Sequence, residues 1–195
     1  MPEIHITNNT EADKLLSNEP FALLLGMLLD QQVAMETAFA GPEKLRARLG
    51  AQLSPKTIVS TSEDELEAMF KESPAVHRFP GSMAKRTRAL CEALIEEYEG
   101  DASKVWSAPN EDGSAPSGAD VVRRLGTLPG FGAQKSKIFL ALLGKQYGVE
   151  PAGWRAASEP YGEEGSLRSV ADIVDEDSLQ AVRAAKKAAK AKAKG

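Results

Sequence analysis

Cysteine, histidine and long apolar runs are all scarce in this chain of 195 residues. Cys91 is the only cysteine, so an internal disulfide is excluded, and so are a four-cysteine zinc site and an iron–sulfur cluster held by this chain alone. His5 and His77 are the only imidazoles, which leaves an ordinary structural metal site unexpected. The longest apolar stretch, residues 21–29, falls far short of the 18 or so needed to span a bilayer. The first five residues, Met1 to His5, lack the basic-then-apolar pattern of a signal peptide. The expectation is a cytoplasmic, nucleoid-associated protein with no membrane partner. Alternating apolar and polar runs are also rare, which argues against a sheet.

What is present is helical periodicity in an ordinary globular composition, 42% hydrophobic and 27% charged. The spacing predicts an all-α fold. One helix runs from Glu19, capped by Asn18, to about Phe39, where Gly41-Pro42 stops it. A short helix follows over 42–49, and Pro55 opens another. Ser62 with Glu65 forms a capping box for a helix over 63–71. Ser82 caps a long helix over 83–98. Residues 108–118, rich in Pro, Gly, Ser and Asp, form an exposed loop. Helices over 119–125 and 133–143 bracket a tight turn, and Pro151 starts a short helix before one or two more within 166–182. Residues 1–182 form one helical domain of two lobes, with both ends of the segment in one lobe. From Arg183 the chain is a basic Ala/Lys tail, a frayed helix or disordered.

The net charge of −4 argues mildly against nucleic acid as a partner. The basic residues are clustered, however, around Lys85 to Arg88, Arg123 to Arg124, Lys135 to Lys145 and the tail, so one face can still be basic. The most specific segment is Leu128-Pro129-Gly130-Phe131-Gly132-Ala133-Gln134-Lys135, set between two apolar helices. Two glycines around one apolar residue permit positive φ and close approach to a ligand. Phe131 can bury its ring between the helices. The amides of Gly130, Gly132 and Ala133 then face outward at a helix start, a natural anion site, with Lys135 and Lys137 adding charge. The plainer alternative is an ordinary αα-hairpin around a buried Phe.

This run resembles the hairpin of the helix-hairpin-helix (HhH-GPD) superfamily of base-excision DNA glycosylases, the group of endonuclease III and the adenine glycosylase. Leu28-Leu29-Asp30-Gln31-Gln32 is similar to that family's Leu-Leu-Ser-Ala-Gln, and residues 79–85 are similar to its segment opening the helix before the hairpin. The resemblance implies a two-lobed helical fold with a DNA-binding cleft and a target nucleotide rotated out of the stack. It implies double-stranded DNA with a modified base as partner. DNA contacts would come from Leu128, Gly130, Phe131, Gly132, Ala133, Gln134, Lys135 and Lys137, and from Gln32 and Lys85. No cofactor is implied, because the cluster of some relatives needs cysteines this chain lacks. A monomer is expected.

The resemblance also implies a carboxylate that stabilises positive charge on the sugar. The family run Val-Asp-Thr-His-x-x-Arg corresponds to Val149-Glu150-Pro151-Ala152-Gly153-Trp154-Arg155, so Glu150 stands for Asp and the Thr-His pair is missing. Glu150 is either catalytic or only an acid stabilised at a helix N-terminus. Asp30, where the family often has Ser, is the second catalytic candidate, or a solvated helix residue. Bifunctional members carry a nucleophilic Lys where this chain has Gln134. Lys135 lies one residue on, about 100° round the helix, and is expected to point away from the site and serve as a phosphate contact. The expectation is a monofunctional N-glycosylase without β-lyase activity. The alternatives are a catalytically silent DNA-binding protein and a protein-interaction scaffold.

Overall fold

The computed structural model describes residues 2–195, and every regular element among them is helical. Helix α1 (Thr10–Asn18) is capped by the Asn9 side chain on the Ala12 amide. Helix α2 (Pro20–Leu29) begins at a proline, whose missing N–H has no helical partner to lose there. Every residue of α2 from Phe21 to Leu29 is buried. A helix apolar on all sides has to be enclosed by others, and α2 packs against α1, α3 (Met35–Leu49), α6 (Pro80–Tyr98) and α9 (Ala133–Gln146).

The single helix expected from Glu19 to Phe39 is instead two, broken at residues 30–34, and the Gly41-Pro42 stop is absent because α3 runs straight through it. Both residues are buried. A Cβ on Gly41 would stand 2.6 Å from Leu29 Cδ1, so the missing side chain is what lets α3 lie on α2. Packing here overrides the local cost of an internal proline, about 3 kcal/mol.

Helix α4 (Pro55–Ser60) and helix α5 (Glu63–Lys71), with the Ser62–Glu65 capping box, pack on α6. Helix α6 begins at Pro80, with Phe79 rather than Ser82 at its cap. After the short α7 (Lys104–Ser107), residues 108–117 form the expected loop. That loop is braced, since Arg124 of α8 (Gly118–Thr127) donates to the carbonyls of Val105 and Ala108 and to Asn110 Oδ1. Pro151 opens no helix; α10 (Trp154–Ala157) starts later, and Trp154 is buried with its ring against Gly144. A 3-10 turn (Val170–Asp172) leads to α11 (Glu176–Ala193), so residues 183–193 are helical.

The core around α9 is aromatic. Phe139 stands 5.8 Å from Trp106 and 6.2 Å, edge-on, from Phe131 of the hairpin. Phe139→Ala therefore removes support from both sides of that stack. It should cost about 3–5 kcal/mol, read as a lower denaturant midpoint at unchanged slope; a loss under about 1 kcal/mol would mean the stack contributes little.

Candidate nucleic-acid interface and its cavity

The hairpin joins α8 to α9. Leu128 caps α8, the Phe131 amide donates to the Leu128 carbonyl at 3.1 Å, and Gly132 caps α9. Gly130 has φ +85°, a region that favours glycine, and a Cβ there would sit 2.2 Å from Leu28 Cδ1. Gly132 differs from the expectation: its φ is −85°, its backbone is extended, and nothing lies within 4 Å of where a Cβ would be. Folding therefore gives no reason for a glycine at 132, whereas an exposed helix start that admits a close ligand does. Gly132, Ala133 and Gln134 are exposed, while Leu128 and Phe131 are 2% and 4% exposed and serve the hairpin's interior.

The break at residues 30–34 is held from outside. The Lys135 ammonium donates to the Leu28 carbonyl at 3.1 Å. His77, 1% exposed, faces the carbonyls of Leu29 and Gln31 with Nε2 at 3.0 and 3.1 Å, while its Nδ1 accepts the Phe79 amide. These partners fix the tautomer, with the proton on Nε2. Arg86 bonds the Gln31 side chain. Gln32, at φ +55°, is thereby turned outward and exposed.

Behind this loop lies a cavity of about 1020 Å³. Asp30, Gln32, Gln134, Lys135 and Tyr161 line it, with Ile138 and Met27 as apolar wall and Lys186 and Lys190 of α11 completing the lining. Burial pushes the Asp30 carboxyl above its usual range, partly countered by the charges of Lys186 and Lys135. Burial pushes Lys135 down to about 8, partly countered by Asp30. Acid and amine are thus both driven toward their neutral forms, a pattern suited to proton transfer.

Several site residues fall elsewhere than the sequence led one to expect. Lys135 does not point away: it borders the same cavity as Gln134, whose amide donates to the Tyr161 hydroxyl at 2.8 Å. The first turn of α9 stands at the cavity's edge, so neighbours 100° apart both reach it, and the long Lys stem bends to the Leu28 carbonyl. Glu150 is exposed, lies outside the cavity and caps no helix. Lys137 is half-buried and also outside it. Lys85 lies in a separate hollow with Glu63, Asp64, Glu67 and Glu92. Sequence reasoning missed His77, Tyr161, Arg78 and Arg168, residues that are ordinary in local pattern and become neighbours only on folding; the lysines of the tail were legible as charge, but not their place beside the cavity.

The family description "HhH-GPD superfamily base excision DNA repair protein" matches residues 25–194. Among solved structures, the chain is similar to a trapped endonuclease III–DNA covalent intermediate, an estranged-adenine complex, at 19% identity and TM-score 0.44. That match covers 67% of this chain and 54% of the other, so the chain spans about half the length of that relative. No curated protein matches.

The cavity's electrostatics can be measured directly. In a lysine-selective NMR titration, Lys135 should change protonation near pH 8, apart from the surface lysines. Asp30→Asn should lower that midpoint further, because it removes the charge that favours the ammonium. A Lys135 signal moving with the surface lysines contradicts this geometry.

Proposed function

The chain belongs to the HhH-GPD superfamily of base excision DNA repair proteins, and from that premise we propose that it is a DNA N-glycosylase acting in the Asp30–Lys135 cavity. The hairpin binds the backbone of duplex DNA, and a modified base is everted into the cavity. The observation that carries this reading is the cavity that Asp30 and Lys135 both line, a carboxyl of raised pKa and an amine of lowered pKa, directly behind the exposed start of α9.

In the step we assign, the bond between the sugar C1′ and the base nitrogen breaks, and its electron pair leaves with the base. The Asp30 carboxylate stabilises the cationic sugar and takes a proton from the water whose oxygen adds to C1′. Lys135 is still mostly protonated at pH 7 and is engaged with Leu28, so water is the first-choice nucleophile and no strand cleavage is expected. Gln134, held by Tyr161, borders the entering nucleotide.

A second reading is favoured by the presence of Lys135 in the cavity. Its neutral amine attacks C1′, the base leaves, the sugar ring opens to a Schiff base, and β-elimination cuts the strand. A panel of duplexes with single modified or mismatched bases, developed with and without hot alkali, separates the readings. Cuts appearing only after alkali support hydrolysis. Cuts without alkali, with a borohydride-trapped adduct that Lys135→Gln abolishes and that forms faster above pH 8, support the lysine.

Variants test the assignment of roles. Asp30→Asn should slow base release by at least about a hundredfold. It should also raise the melting temperature at pH 7: the raised pKa means the ionised carboxyl opposes folding there, and Asn removes it. Glu150→Gln should leave base release unchanged. Gly132→Ala should keep the melting temperature yet weaken duplex binding. Loss of activity in Glu150→Gln but not in Asp30→Asn would overturn the assignment.

A further inference from the structure

The end of α11 carries more positive charge than its internal partners, Glu36 for Arg183 and Asp30 for Lys186, account for. Lys186, Lys187, Lys190, Lys192 and Lys194 follow one another, and no acidic residue comes after Asp177. Leu179 and Val182 are the buried residues of α11, and the Arg183–Glu36 ion pair ties the helix to α3 just beyond them. From there on, alanines alternate with lysines that repel at one-turn spacing. A helix end kept so basic, with no buried residue past Val182, is matched to an external anion.

Its position says which. Lys186 and Lys190, one turn apart and about 6 Å along the axis, stand on the face that walls the cavity, with Ala185 and Ala189 beside them. The hairpin residues Gln134 and Lys135 form another part of the same wall. Among the described lining residues the cations are Arg78, Lys135, Arg168, Lys186 and Lys190, against Asp30 as the single acid. Lysines on an alanine surface supply point charges without the planar or stacking groups that read a base, so the chemistry fits a phosphate backbone rather than a base edge.

We propose that the lysine face of α11 is a second phosphate-binding surface, which holds the strand whose nucleotide enters the cavity and faces the hairpin across that strand. The proposal rests on the glycosylase reading above and adds the element that positions the strand.

The test uses the full-length protein and a duplex bearing a stable abasic-site analogue, with affinity measured from about 50 to 200 mM salt. K186Q/K190Q should lower the slope of log affinity against log salt by about 1.8, two phosphate contacts' worth. K192Q/K194Q, the same charge change away from the cavity, should alter the slope by less than half as much. K186R/K190R should restore the wild-type slope, and circular dichroism at the assay temperature reports whether each variant is folded. Equal slopes for the two glutamine pairs, or a K186Q/K190Q slope equal to wild type while wild-type binding stays salt-dependent, overturns the proposal alone. Wild-type binding with no salt dependence overturns the DNA reading and this proposal with it.

Discussion

The carbonyls at the end of α2 set the terms for everything around them. A helix that ends inside a protein leaves its last acceptors unpaired, and each such group is costly without a partner. Here the ending is deep, because α2 is buried along its length. Gln31 supplies two partners locally, its amide for Leu29 and its side chain for Leu28, and the others come from far along the chain: Lys135 from α9 for Leu28, and His77 for Leu29 and Gln31. Those bonds fix the chain's turn at 30–34, bring the hairpin against α2, and place Asp30 and Lys135 in one cavity.

The same arrangement gives the cavity its chemistry. Burial disfavours the charged forms of both groups, and each charge only partly relieves the other. Both groups are therefore poised closer to neutral pH than their free counterparts, and the fold carries the cost of partly desolvating them. Stability elsewhere comes from conventional sources. The aromatic stack of Trp106, Phe139 and Phe131 backs the hairpin, and the Asp172 carboxylate, bonded by Lys145 and Ser166, closes the turn before α11.

What the sequence disclosed follows from how local the controlling physics is. The all-helical architecture and the hairpin were legible, since Gly130 and Phe131 act through backbone freedom and a nearby core. The capping box at Ser62 is equally local. The break at 30–34 was not legible: Asp-Gln-Gln-Val-Ala contains no breaker, and the carbonyls where the helix stops are held partly by donors from distant parts of the chain. Gly41-Pro42 misled for the converse reason, since packing against Leu29 and Val76 rewards a small residue inside a helix. Glu150 drew attention through alignment of a motif, whereas Asp30 is the carboxyl that tertiary structure encloses. The end of α11 showed its charge but not its place, because no apolar stripe past Val182 reveals a packing face.

In the proposed reaction the sugar sits between Asp30 and Lys135. The most direct measurement is a crystal structure with a duplex whose target nucleotide cannot be hydrolysed. That nucleotide is expected to stand everted in the cavity, with C1′ facing the Asp30 carboxylate and the flanking phosphates at the start of α9. A nucleotide seated beside Glu150, with the Asp30–Lys135 cavity left to solvent, would contradict it.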